Sequence, residues 1–186
     1  MTPEDYFNNH LRHRITLLIT FRERFSVSVG KLIYINPASV QDLYRCSMDI
    51  SMIMVRFFLE EMNIELKRKT REIEYKNDKK KKDEIWRARV EKFKVIMLTP
   101  DDFKDEPRIN DIIEVLVGAN RAVAHIDNED VLHKVNPATL IKAIDFTEEK
   151  IKTNIYNDPA YNYNEIMERE YKDMNRESLN KLLKNK

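Results

Sequence analysis

The chain has 186 residues, with two glycines, six prolines, 35% charged side chains and 33 Lys and Arg against 32 Asp and Glu, a net charge of +1. That length suits one domain with a sizeable core, and the composition suits long helices and excludes a turn-rich β architecture. The charge balance excludes a polycation, so any attraction to nucleic acid must come from a local patch.

The single cysteine, Cys46, excludes an internal disulfide and points to a reducing, cytoplasmic setting. No apolar stretch approaches the roughly 20 residues of a membrane span, and the opening T-P-E-D has no basic-then-apolar leader. The expectation is a cytoplasmic protein with no membrane partner.

In chain order, Thr2-Pro3-Glu4-Asp5 is a helix start: a hydroxyl cap, proline at the first helical position, then acids against the dipole. The helix predicted over 3–28 carries Tyr6, Phe7, Leu11, Leu18, Phe21 and Phe25. Residues 31–35 form a short apolar bridge of no clear class. Asn36-Pro37 punctuates again, and helical spacing predicts a second long helix over about 39–75. Its middle, Met48 to Val55, is apolar on more than one side, which suits the centre of the core or a subunit contact. Cys46 falls in this helix and reads as a small buried hydrophobe.

Composition shifts between Lys67 and Lys94, where 13 Lys and Arg stand against 6 Asp and Glu. Lys79, Lys80, Lys81 and Lys82 are its densest run, and Trp86 follows, flanked by Arg87 and Arg89. This segment reads either as a solvated helix end and loop or as a landing strip for RNA phosphates with Trp86 to stack a base. Further on, Thr99-Pro100 caps a short segment, Asn136-Pro137 opens a helix over about 137–155, and Y-N-D-P-A-Y-N-Y (156–163) is a break. A final charged helix is expected near 163–184. The chain is expected to be all-α, an antiparallel bundle of four to five main helices over 1–155, with the C-terminal charged helix of 156–186 as an appendage.

The stretch of most interest is R-I-N-D-I-I-E-V-L-V-G-A-N-R-A-V-A-H-I-D, residues 108–127. Ile109, Ile112, Ile113, Leu116 and Val123 fall on one helical face over about 108–126. Asn120 lies inside that apolar stripe, where a buried amide would need hydrogen-bond partners. Arg121 and His125 are one turn apart on a neighbouring flank. Cleaving RNA without a metal needs an acid/base group near working pH, which histidine supplies, and fixed positive charge on the phosphoryl oxygens, which arginine supplies. The alternative is structural: Arg121 paired with Glu114 or another acid, and His125 satisfied near a helix end. Gly118 costs about 1 kcal/mol in mid-helix relative to alanine, so something is expected to approach its backbone: a second subunit, a neighbouring helix or a nucleic-acid strand. The dimer expectation takes Gly118 as its contact.

The segment A-N-R-A-V-A-H-I-D resembles the signature of HEPN domains, particularly those of abortive-infection and related defence proteins, commonly written R-N-x-x-x-A-H. The matching positions are Asn120, Val123, Ala124 and His125, with Asp127 just after. That resemblance implies a compact, mostly antiparallel helical bundle that dimerises. Its active members are metal-independent ribonucleases whose paired Arg and His motifs meet at the dimer interface. It implies His125 as acid/base, Arg121 as the phosphate-stabilising group and Asn120 as an orienting residue. The partners implied are RNA, a second copy and, for a toxin–antitoxin type, a protein antitoxin. This chain departs from the pattern in one place: the family arginine position, six before the histidine, is Ala119, and Arg121 stands only four before. Either Arg121 takes the role from one turn nearer, or the chain is an inactive helical adaptor that binds RNA or a protein partner.

Other chemistries have less to stand on. His10 and His13 are three apart, but Arg12 and Arg14 would repel a cation and no third ligand is evident. No phosphate-cradling glycine loop or Cys-x-x-Cys occurs, so no cofactor and no metal are expected.

Overall fold

The structure, a computed structural model, describes residues 2–25, 37–67, 70–75, 91–124 and 135–168. The molecule is mostly helical; among the described residues the only β structure is one two-stranded sheet. The first helix, α1, spans residues 3–25. The Thr2 hydroxyl accepts from the Asp5 amide at 3.1 Å and Pro3 takes the first helical position. The rod runs through α-helical Pro3–Asp5 and Arg12–Thr20 and through π-helical turns at Tyr6–Leu11 and Phe21–Phe25.

The second helix, α2, is Pro37–Glu61. It stops short of the expected end near residue 75: Leu66 keeps a helical spacing from Met62, but from Ile64 on apolar and charged residues also alternate with a period of two, and the strand pattern prevails. Asn63 takes the left-handed conformation (φ 81°), which asparagine tolerates better than most residues and which ends helices. The I-E-L-K and E-I-E-Y stretches then alternate as strands do. Strand β1 (Ile64–Lys67) pairs antiparallel with β2 (Glu72–Tyr75), Ile64 opposite Tyr75 and Lys67 opposite Glu72. Ile64 and Leu66 face the core while Glu65, Lys67, Glu72 and Glu74 stay exposed.

The chain next lies extended across the helices: the Leu98 amide donates to the Met62 carbonyl at 3.0 Å, and the Ile96 amide to the Asn154 carbonyl at 2.8 Å. Thr99 caps a 3-10 turn, Pro100–Asp102, with a reciprocal bond from its own amide to Asp102 at 2.9 Å. Helix α3 is Ile109–Ala124. Helix α4 is Pro137–Lys150, capped by the Asn136 side chain accepting from the Ala138 amide at 2.9 Å, and runs on as a π-helical turn, Ile151–Ile155. A fifth helix, α5, begins at 163–168, capped by Asn162.

Helix α2 is the hub, packed against α1, α3 and α4. Its inward side carries Val55, Phe58, Leu59 and Met62, all inaccessible to solvent. Two of its serines are buried: the Ser51 hydroxyl donates to the Leu17 carbonyl of α1 at 3.2 Å, and Ser47 to its own helix at Tyr44. Cys46 lies on the other side and is exposed, not buried as its helical setting suggested. The apolar middle of α2 therefore splits between core (Met52, Val55) and surface (Ile50).

The start of the C-terminal segment packs into the same core. Tyr156, Tyr163, Ile166 and Met167 are buried, and the Tyr156 hydroxyl donates to the Phe7 carbonyl of α1 at 3.0 Å. Phe7 gathers Tyr156 edge-on, Tyr161 stacked at 4.3 Å and Phe93 around it.

Candidate functional site

The helix that carries the motif is anchored from its N-terminal end. Arg108 bridges Glu106 and, at 2.9 Å, Glu149 of α4, while Lys142 of α4 reaches Asp111 at 3.2 Å. The hydrogen bonds that Arg108 donates to Glu106 raise its pKa against the opposing effect of burial, and the same bonds hold Glu106 below the ordinary carboxylate range. Along the helix Ile112, Val115, Leu116 and Ala119 are buried to 2% exposure or less, whereas Ile109 and Ile113 are only partly covered. The buried stripe is thus rotated toward Val115 and Ala119 relative to the face that the isoleucines alone suggest.

Asn120 is half-buried at the edge of that stripe. It lines a small cleft with Leu116, with Arg56 and Glu60 of α2, and with Ile64, Glu65 and Leu66 of β1. The Arg56 Nε donates to Glu60 at 2.6 Å across one helical turn. With a volume of about 30 Å³ the cleft has room for little more than a water.

At Gly118 the close approach is made from within the chain. A Cβ there would stand 2.7 Å from Val135 Cγ2 and 3.1 Å from Met52 Sδ. The glycine lets α3 settle against α2 and the lead-in to α4, and its contact space is filled by the chain's own residues. Ala119 has no solvent exposure. The position where the HEPN pattern carries its arginine is therefore a core position here, too small and too apolar for a guanidinium.

No family model, curated protein or solved structure matches this chain. What it does has to be read from its own residues. Of the predicted site residues, Asn120 and Gly118 are placed as above. Arg121 follows on the last turn of α3, its side chain outside the described structure. His125, Lys79, Lys80, Lys81, Lys82, Trp86, Arg87 and Arg89 lie outside the described residues.

His10 and His13 are both exposed on α1. Among the described residues no group of three or more His, Cys, Asp or Glu is arranged to hold a metal ion, and no helix is long and apolar enough to cross a membrane.

Three features were not foreseen from the sequence. Arg56 and Glu60 beside Asn120 left a readable trace, an i,i+4 pair. A charged network leaves none: Arg22 of α1 contacts Asp145 and, at 2.7 Å, Glu148 of α4, while Lys152 and the Tyr163 hydroxyl each reach Glu148 at 2.8 Å. The third is an open cleft of about 310 Å³ lined by Lys152, Tyr156, Tyr161 and Tyr163 among other residues. Two of its asparagines are engaged by the chain itself, Asn157 donating to the Lys94 and Asn154 carbonyls and Asn162 capping α5.

Proposed function

We propose that the chain is a HEPN-like RNA-processing protein, an antiparallel helical bundle acting in two copies as a metal-independent endoribonuclease of the defence or toxin–antitoxin type. His125 is the acid/base group, Arg121 stabilises the crowded phosphate, Asn120 orients, and the basic run around Lys79–Lys82 with Trp86 gathers RNA. The observation that supports this reading is the place of Asn120, half-buried at the edge of a polar cleft that Arg56 and Glu60 also line, with Arg121 the next residue on the helix. Buried Ala119 is closed to a cation, so Arg121 is the motif's remaining arginine. A fixed cation and a histidine one turn apart are the groups that 2′-hydroxyl attack on a phosphodiester requires.

The test is cleavage of a mixed single-stranded and transfer RNA pool in EDTA by wild type, His125→Ala and Arg121→Ala. Cleavage that survives EDTA and is lost in both variants supports the enzyme. Equal cleavage by all three removes the pair as its source.

A second reading, a non-catalytic adaptor that binds RNA or a protein partner, is favoured by the same buried alanine together with the short Arg121–His125 spacing. Wild type that cleaves nothing yet binds RNA with a steep salt dependence would support it.

A further inference from the structure

The open cleft of about 310 Å³ lies where two π-helical turns meet. Lys152 lines it from the turn Ile151–Ile155, and Tyr161 stacks at 4.3 Å on Phe7 of the turn Tyr6–Leu11. Such wide turns are rare and frequently stand at functional sites. The two formal charges of the lining are answered within the chain. Lys152 holds Glu148 at 2.8 Å, its ammonium 4.8 Å from the centre of the Tyr163 ring. Asp158 holds Lys94 at 3.3 Å and accepts from the Ala160 amide at 3.0 Å. What remains to meet a ligand is neutral. Among the described residues the Tyr161 hydroxyl and the Asn164 side-chain amide have no hydrogen-bond partner, and Asn162 has only its oxygen engaged, in capping α5.

We propose that this cleft binds a neutral saccharide, one sugar ring lying on Tyr161 with its hydroxyls meeting the amides of Asn162 and Asn164. This inference stands apart from the RNA reading. The volume is at the low end of small-molecule sites, enough for a sugar ring and its waters. A hydroxyl both donates and accepts, as a side-chain amide does, so a sugar satisfies both ends of an amide where an anion could only accept. The C–H face of a sugar ring is slightly positive and packs on the negative face of an aromatic ring. Tyr156 and Tyr163 are 7% and 8% exposed, their hydroxyls spent on Phe7 and Glu148, so half-buried Tyr161 offers the main aromatic surface. One platform suits one ring, whereas a proline-rich peptide docks along a whole aromatic groove. A nucleic-acid strand would set phosphates against Asp158, with Lys152 already paired. The cleft is also about 25 Å along α4 from Val135, the residue that packs on Gly118 of the motif helix.

Nitrogen-15 NMR titration of the full chain with glucose, galactose, mannose and N-acetylglucosamine, each to about 50 mM, tests this, with adenosine and uridine alongside. Expected is saturable binding of at least one sugar with a Kd of about 1–10 mM, the shifts centred on residues 152–164. The Kd should stay constant between about 50 and 500 mM salt, because a neutral ligand is not screened. Asn164→Ala and Tyr161→Phe each remove one partner and keep the ring at 161 on Phe7. Each should weaken binding about three- to tenfold with an unchanged melting temperature. No saturable binding by any of the four sugars, shifts centred elsewhere, or a Kd indifferent to both variants would overturn the proposal. Adenosine or uridine binding there while the sugars stay inert would overturn it in favour of a nucleoside site. RNA cleavage is read separately and bears on none of these outcomes.

Discussion

Gly118 and Val135 are in contact range: a Cβ on the glycine would come within 2.7 Å of the valine's Cγ2. Val135 is 4% exposed and β-branched, so it has little freedom to give way. Gly118→Ala should gain about 1 kcal/mol of helix propensity and lose about 1–3 kcal/mol to overpacking, a net destabilisation on the order of 1 kcal/mol. In a Val135→Ala background the same change should stabilise. Urea unfolding of the four proteins gives the coupling; additive effects would mean that the contact is not what requires glycine.

Much of the fold is legible in punctuation. Thr2-Pro3, Thr99-Pro100 and Asn136-Pro137 each open a helical turn where a cap followed by proline says they should. The end of α2 is ambiguous in the sequence because Leu66 continues a helical spacing from Met62 while also belonging to the alternation that starts at Ile64. Ile64, Leu66, Ile73 and Tyr75 against Glu65, Lys67, Glu72 and Glu74 carried the period-two signal all along. Cys46 is ambiguous for a different reason: with apolar residues on most sides of α2, periodicity cannot say which side faces in. At the site, Gly118 announced a close approach but not its source. The Arg22–Glu148 contact joins residues far apart in the chain and leaves no local trace.

Asn63 supplies the left-handed residue that ends α2 and aims β1. Asn63→Gly should therefore be neutral within about 0.5 kcal/mol, whereas Asn63→Ala should cost about 1 kcal/mol. A shift in urea midpoint at constant slope would report this. Equal tolerance of both would mean that the turn can be made another way.

Tyr156 ties the residues after α4 to the first helix. Tyr156→Phe leaves the buried Phe7 carbonyl without its 3.0 Å donor and should cost about 1–2 kcal/mol. Ending the chain after Ile155 removes Tyr156, Tyr163, Ile166 and Met167 from the core and should abolish a cooperative thermal transition. A truncated chain that melts like the full one would make the last helix a true appendage.

Glu148 sets a pH dependence whose direction follows from its surroundings. Burial raises its pKa, but hydrogen bonds from Lys152, Tyr163 and Arg22 outweigh burial and hold the carboxyl below its ordinary value. Tyr163 moves the other way, burial and the neighbouring carboxylate keeping its hydroxyl protonated to higher pH. Because the folded carboxyl is the stronger acid, its contribution is fully present above the unfolded glutamate value, about 4.3. It is lost as pH falls through the lower folded value. At pH 7, Glu148→Gln should cost about 1–3 kcal/mol, since Arg22 and Lys152 lose a charged acceptor while Asp145 still holds Arg22. The gap between wild type and variant, measured by urea unfolding from about pH 7 down to about pH 3, should narrow as the carboxyl protonates. A gap that stays constant with pH would show that Glu148 supports the fold by shape and not by charge.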